Sequence, residues 1–181
     1  MKIIKIITGS AMSFALSTGI FSLSANAQKA TNLTDPEIAS VAVTANQIDI
    51  NYAKIAEQRS KDAAVRNFAQ TMAKDHQSVI DQAVALVTKL GVTPKDNATS
   101  KSLKAGEATT KKLLNSKSGK AFDKAYIDNE VAYHKAVISE METALIPEAQ
   151  NAELKSLLQK VLPILKTHLA HAEMVQKQVN Q

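Results

Sequence analysis

The chain has no cysteine and no tryptophan, only five glycines and four prolines, and few aromatic residues of any kind. Without cysteine no disulfide can brace the fold, so stability has to come from packing. The scarcity of aromatic side chains removes the stacking platforms that bind single-stranded nucleic acid. The charge excess is small, 22 basic against 17 acidic residues for a formal +5, and gives no strong footprint for nucleic acid. Sustained strand alternation is also missing; every long apolar pattern has helical spacing.

One short apolar run does occur, at the N-terminus. Lys2 and Lys5 precede a mostly apolar stretch from Ala11 to Leu23, followed by Ser24-Ala25-Asn26-Ala27. About 13 apolar residues match a secretory leader and are too few for a membrane-spanning helix. The small-x-small pattern of Ala25 and Ala27 predicts cleavage after Ala27, with a periplasmic or secreted product. Losing Lys2 and Lys5 lowers the formal charge from +5 to +3 and leaves 154 residues, 28–181, which suits a single domain with its own core. No later segment is apolar enough to span a membrane.

The remaining pattern predicts four long helices. Thr34-Asp35-Pro36-Glu37 reads as a capping box with proline in the first turn. The stripe Ile38, Val41, Ala45, Ile48, Tyr52, Ile55 follows. Ser60-Lys61-Asp62 makes a turn, and a second helix carries Val65, Phe68, Met72, His76, Val79, Ala83, Leu86 and Leu90 until Gly91 closes it. Residues 92–118 are polar and lysine-rich, with one short amphipathic piece around Leu103 to Leu114. They read as a crossover, and their lysines as a solvated face. A third long helix carries Phe122, Tyr126, Glu130, His134, Val137, Met141 and Leu145 until Pro147. The last carries Leu154, Leu158, Val161, Leu165, His168, Ala172 and Val175, with Pro163 predicted to bend or divide it. Two helical hairpins joined by a long crossover specify an all-α, ferritin-like four-helix bundle.

Three of the four histidines, His76, His134 and His168, fall on core-facing stripes of three different helices. Counting about 1.5 Å per residue from the helix ends brings them level with Asp49 and Glu130, all five within roughly one and a half turns. Two readings stay open. The five can form a buried hydrogen-bond network, with Tyr52, Tyr126 or Tyr133 as partners. They can also hold one transition-metal ion, Zn, Cu or Fe, which imidazole and carboxylate donors suit. The Glu-x-x-His pairs of di-iron bundles are absent, since Ala73 precedes His76 and Leu165 precedes His168 by three, so a mononuclear site is the metal expectation. His171 lies off the seam and reads as a surface residue; Asp75 is expected to point to solvent.

Val65-Arg66-Asn67-Phe68-Ala69 with Met72 and Asp75-His76, Gly119-Lys120-Ala121-Phe122-Asp123 with Tyr126 and His134, and Leu162-Pro163 with Leu165 and His168 together resemble the exported bacterial family of domain of unknown function 4142. That family is grouped with ferritin-like bundles. It usually has glutamate at the position of Asp49 and often glutamine at that of Glu130. The resemblance implies export, the helical fold and a functional interest in the three histidines, and suggests a role in envelope stress tolerance. It names no reaction. The sequence therefore reads first as a non-enzymatic or weakly metal-binding periplasmic bundle with a buried polar cluster. Its alternatives are a metal-binding or metal-dependent redox protein using His76, His134 and His168, and an interaction module docking an unknown protein partner through the crossover, with self-association open.

Overall fold

The computed structural model describes residues 32–181. The expected leader, Met1 to Ala27 with its cleavage point, lies outside the described residues. Those residues form helices joined by short loops, with no strand among them. α1 spans Asp35–Arg59, α2 Ala63–Leu90, α3 Ala98–Asn115 and α4 Gly119–Glu140. A π-helical turn, Met141–Leu145, and a short α5, Ile146–Glu148, extend α4, and α6 spans Ala152–Val179.

The helix ends follow from local chemistry. Glu37 accepts from the Thr34 amide at 3.0 Å and from its hydroxyl at 2.7 Å, closing the N-terminus of α1. Asp62 accepts from the amides of Ala64 and Val65, and Asn151 from those of Glu153 and Leu154. These oxygens satisfy amides that have no partner inside the helix. Gly91 ends α2 with φ 63°, a left-handed conformation that glycine adopts without strain.

Hydrogen bonds between helix ends fix the directions. Asp35, at the start of α1, accepts from the amides of Gln150 and Asn151 at the start of α6, both at 2.9 Å. Near the same end, Asn97 donates to the Glu37 carbonyl and the Lys95 amide to that of Pro36. At the far end of α1 the Arg59 guanidinium donates to the carbonyls of Leu114 and Lys117 and to Asn115, and lies 4.9 Å from the Phe122 ring centre. α3 therefore runs beside α1 from its beginning to its end, returning the chain to the level where α2 began. α1 and α6 run one way, α2 and α4 the other. α1 packs along α2 and α4 along α6, with α2 against α6 closing one side; α1 and α4 meet over little of their length, and α3 lies across both.

The buried side chains form two apolar clusters. One gathers Tyr52, Phe68, Met72, Leu114, Phe122, Tyr126 and Ala172. The other gathers Ile38, Val41, Val79, Leu86, Met141, Leu145, Leu154, Leu158 and Leu165. Along α2, α4 and α6 the histidines His76, His134 and His168 fall between the two, while Asp49 and Glu130 lie at the adjoining edge of the first cluster. Burial of apolar surface stabilises each cluster by about 25 cal/mol per Å². The polar layer between them contributes nothing of that kind.

Three expectations need correction. The amphipathic piece of the crossover is an 18-residue helix anchored at both ends, longer than Leu103 to Leu114. Pro147 does not stop the fourth-helix segment: the Ile146 amide bonds to the Met141 carbonyl five residues back, and the chain turns on to Glu148. Nor does Pro163 divide the last helix, which is continuous from Ala152 to Val179. Pro163 and Gln159, whose carbonyl the proline leaves without its helical donor, are both exposed, so water can take that oxygen.

Candidate metal centre

All five expected residues are buried, and the structure brings them together. His76, His134 and His168 each offer a ligand atom within 4.8 Å of the others, and so do Asp49, Glu130 and His134. The imidazole centres lie 5.6 Å (76 to 134), 5.1 Å (76 to 168) and 5.7 Å (134 to 168) apart. Asp49 reaches them from α1, with Oδ2 at 3.5 Å from His76 Nε2 and 3.7 Å from His134 Nε2.

Each ring is tied at one nitrogen. His76 Nδ1 lies 2.7 Å from Asn46 Oδ1. The Asn46 amide orientation is set because its Nδ2 donates to the Ala42 carbonyl at 2.8 Å. His134 Nδ1 lies 2.9 Å from the Glu130 carbonyl, and His168 Nε2 is 3.1 Å from Asp75 Oδ2. All three partners are oxygen acceptors, so in the neutral rings these nitrogens carry the hydrogen. The lone pairs then sit on His76 Nε2, His134 Nε2 and His168 Nδ1. None of those three nitrogens has a hydrogen-bond partner among the described residues.

Burial sets the charges. It holds His76 well below its ordinary value, helped by His134 and His168, and takes His134 down to about 4. His168 is lowered by burial too, against the opposing pull of Asp75. Burial raises Asp49 to about 7 and Glu130 well above its usual range, the latter also because Asp49 stands beside it. The two buried carboxyls stand beside one another and each disfavours the other's charge, so one of them holds a proton near neutrality. With neutral rings, the 3.5 and 3.7 Å approaches of Asp49 are neither ion pairs nor hydrogen bonds.

A hydrogen-bond network would leave few polar atoms without partners. Here the tyrosines take no part in holding the histidines: Tyr133 donates to the Ala45 carbonyl at 3.0 Å, and the buried Tyr126 hydroxyl has no partner. Metal donors are expected to look different. A ligating histidine donates its far N–H to a carboxylate or carbonyl, and its near nitrogen faces the ion. All three rings have one nitrogen held by such an oxygen and the other left without a partner among the described residues. Bonds of about 2.1 Å place tetrahedral ligand atoms about 3.4 Å apart, close to the spacing of Asp49 Oδ2 from two of the nitrogens.

Two participants escape a reading of the sequence. Asp75 does not simply point to solvent; it is half-buried and orients His168 across the α2–α6 interface. Asn46 lies on the same face of α1 as Asp49, and an asparagine inside a helix stripe was the available signal. His171 is half-buried, with its ring edge-on to Phe68 at 5.1 Å.

The fold and this cluster define an all-helical protein built around a buried imidazole–carboxylate site. A family model described as domain of unknown function (DUF4142) matches residues 21–175, and the chain belongs to that family. No curated protein and no solved structure matches it. No described helix is long and apolar enough to cross a membrane.

Proposed function

We propose that the protein binds one transition-metal ion through His76 Nε2, His134 Nε2, His168 Nδ1 and Asp49. The single observation that carries this reading is the arrangement of the three rings, each tied by one nitrogen to an oxygen with the other unpartnered among the described residues, and together offering ligand atoms within 4.8 Å of one another. Glu130 then holds the proton beside Asp49 and orients it without ligating. Zn, Cu and Fe all suit three imidazoles and a carboxylate. This departs from the first reading of the sequence, a network without metal. The helix directions also support a ferritin-like bundle built as one domain from residues 28–181.

Loading is tested by titrating metal-stripped, untagged protein with Zn²⁺ at several pH values. Asp49 keeps its proton up to about 7 and must release it to ligate, whereas burial leaves His134 unprotonated down to about 4. Lower pH therefore weakens loading through Asp49. Between pH 5 and 7 the affinity should change about tenfold per unit, with about one proton released per ion. Calorimetry in two buffers of different ionisation enthalpy measures that number. Binding that is absent at pH 7.5 sinks the proposal; release of three protons would sink the charge assignment.

The leader supports export, with a product beginning at Gln28. Intact mass of the protein recovered outside the cytoplasm should lack Met1 to Ala27; a full-length mass there would contradict the assignment. A role in envelope stress tolerance is carried by the family resemblance alone.

A further inference from the structure

Below the histidines, between α1, α2, α4 and α6, lies a cavity of about 210 Å³. Its walls are apolar, among them Ala45, Val79, Ala83, Met141, Leu158 and Val161. Its polar end is formed by Asn46, Asp49, His76 and His134. Its far wall reaches Leu145 and Leu154, so at about 1.5 Å per helical residue it is about 15 Å long. Half-buried Thr99 and Leu103 of α3 and Glu140 of α4 also border it, at the place where α1 and α4 touch little. An apolar cavity of about 150 Å³ already holds a benzene molecule.

We propose that this cavity is a binding site for a linear aliphatic molecule of medium chain length, with a hydrogen-bond-donating head at the histidine end. The length, the apolar walls and the single polar end fit one extended chain better than a compact ring. The head is assigned from the lone pairs of His76 Nε2 and His134 Nε2, which accept and have no donor among the described residues. A hydroxyl meets that need, and a carboxylate head does not. The hydroxyl would take two nitrogens that the proposed ion also uses, so this inference concerns the metal-free protein, and its test reads separately from that of the proposed function.

The test uses metal-stripped full-length protein and the probes 1-hexanol, 1-octanol, 1-decanol, 1-dodecanol and octanoate, followed by calorimetry. Each methylene that enters apolar contact strengthens binding about fourfold. Affinity should rise about sixteenfold between successive alcohols, which differ by two methylenes, and then level off once the chain outgrows the cavity. 1-Octanol should bind more tightly than octanoate. Ala83→Leu places three further carbons in the cavity, two turns from His76, and should weaken 1-octanol about fiftyfold while Zn²⁺ affinity is unchanged. Absence of saturable 1-octanol binding by the unsubstituted protein overturns the site. An affinity that keeps rising through 1-dodecanol overturns the bounded cavity, and octanoate binding as tightly as 1-octanol overturns the head assignment.

Discussion

Zn²⁺ at a hundredfold excess over its dissociation constant is expected to stabilise the metal-stripped protein by about 2.7 kcal/mol. For a domain of this size each kcal/mol moves the midpoint by about 2–4 °C, so melting should shift upward by about 5–11 °C. His134→Ala and His168→Ala should each abolish the shift, because each removes a convergent nitrogen. Asp75→Ala is the more discriminating change. Asp75 ligates nothing and is partly exposed, but it holds His168 by its far nitrogen. Losing such a partner typically costs about 10–100-fold in metal affinity. A hydrogen-bond network makes a different forecast: each histidine substitution costs about 1–3 kcal/mol through an orphaned partner, and added metal changes nothing. No shift in the unsubstituted protein with Zn, Cu or Fe would remove the metal reading.

Leu114→Ala should cost about 2–5 kcal/mol, a large part of the roughly 5–15 kcal/mol that holds a domain folded. Leu114 is fully buried between Tyr52, Phe122 and their neighbours, although it belongs to the most polar helix of the chain. Its neighbour Leu113 is 47% exposed, and Leu113→Ala should stay within about 0.5 kcal/mol. Urea denaturation of the two variants measures the contrast. Equal effects would mean that α3 rests loosely on the other helices.

That pair of leucines also shows where the sequence could be read and where it could not. The four long helices were legible because their apolar residues repeat at three and four and their caps are chemically distinct. The same periodicity put His76, His134 and His168 on inward stripes. α3 was read as shorter than it is because Ser100 and Leu114 are its only buried residues. Its ends are held by Arg59 and Asn97, bonds that span 55 to 60 residues and leave no local pattern. Asp75 posed the same difficulty. It lies about 100° round α2 from His76, at the edge of the buried stripe, and only the position of α6 decides whether it meets water or an imidazole. The continuity of α6 through Pro163 depended on which side of the helix faces solvent.

The ties that orient the rings have a mechanical consequence. Asn46 joins His76 across α1 and α2, and Asp75 joins His168 across α2 and α6, so ring orientation and helix spacing are set by the same bonds. An arriving ion would meet rings whose orientation is already set by these bonds. A receptor that signals occupancy needs two shapes of comparable free energy, and preorganisation of this kind removes the second. An ion bound as proposed would be held without being reported, as in a store or a fixed reactive centre.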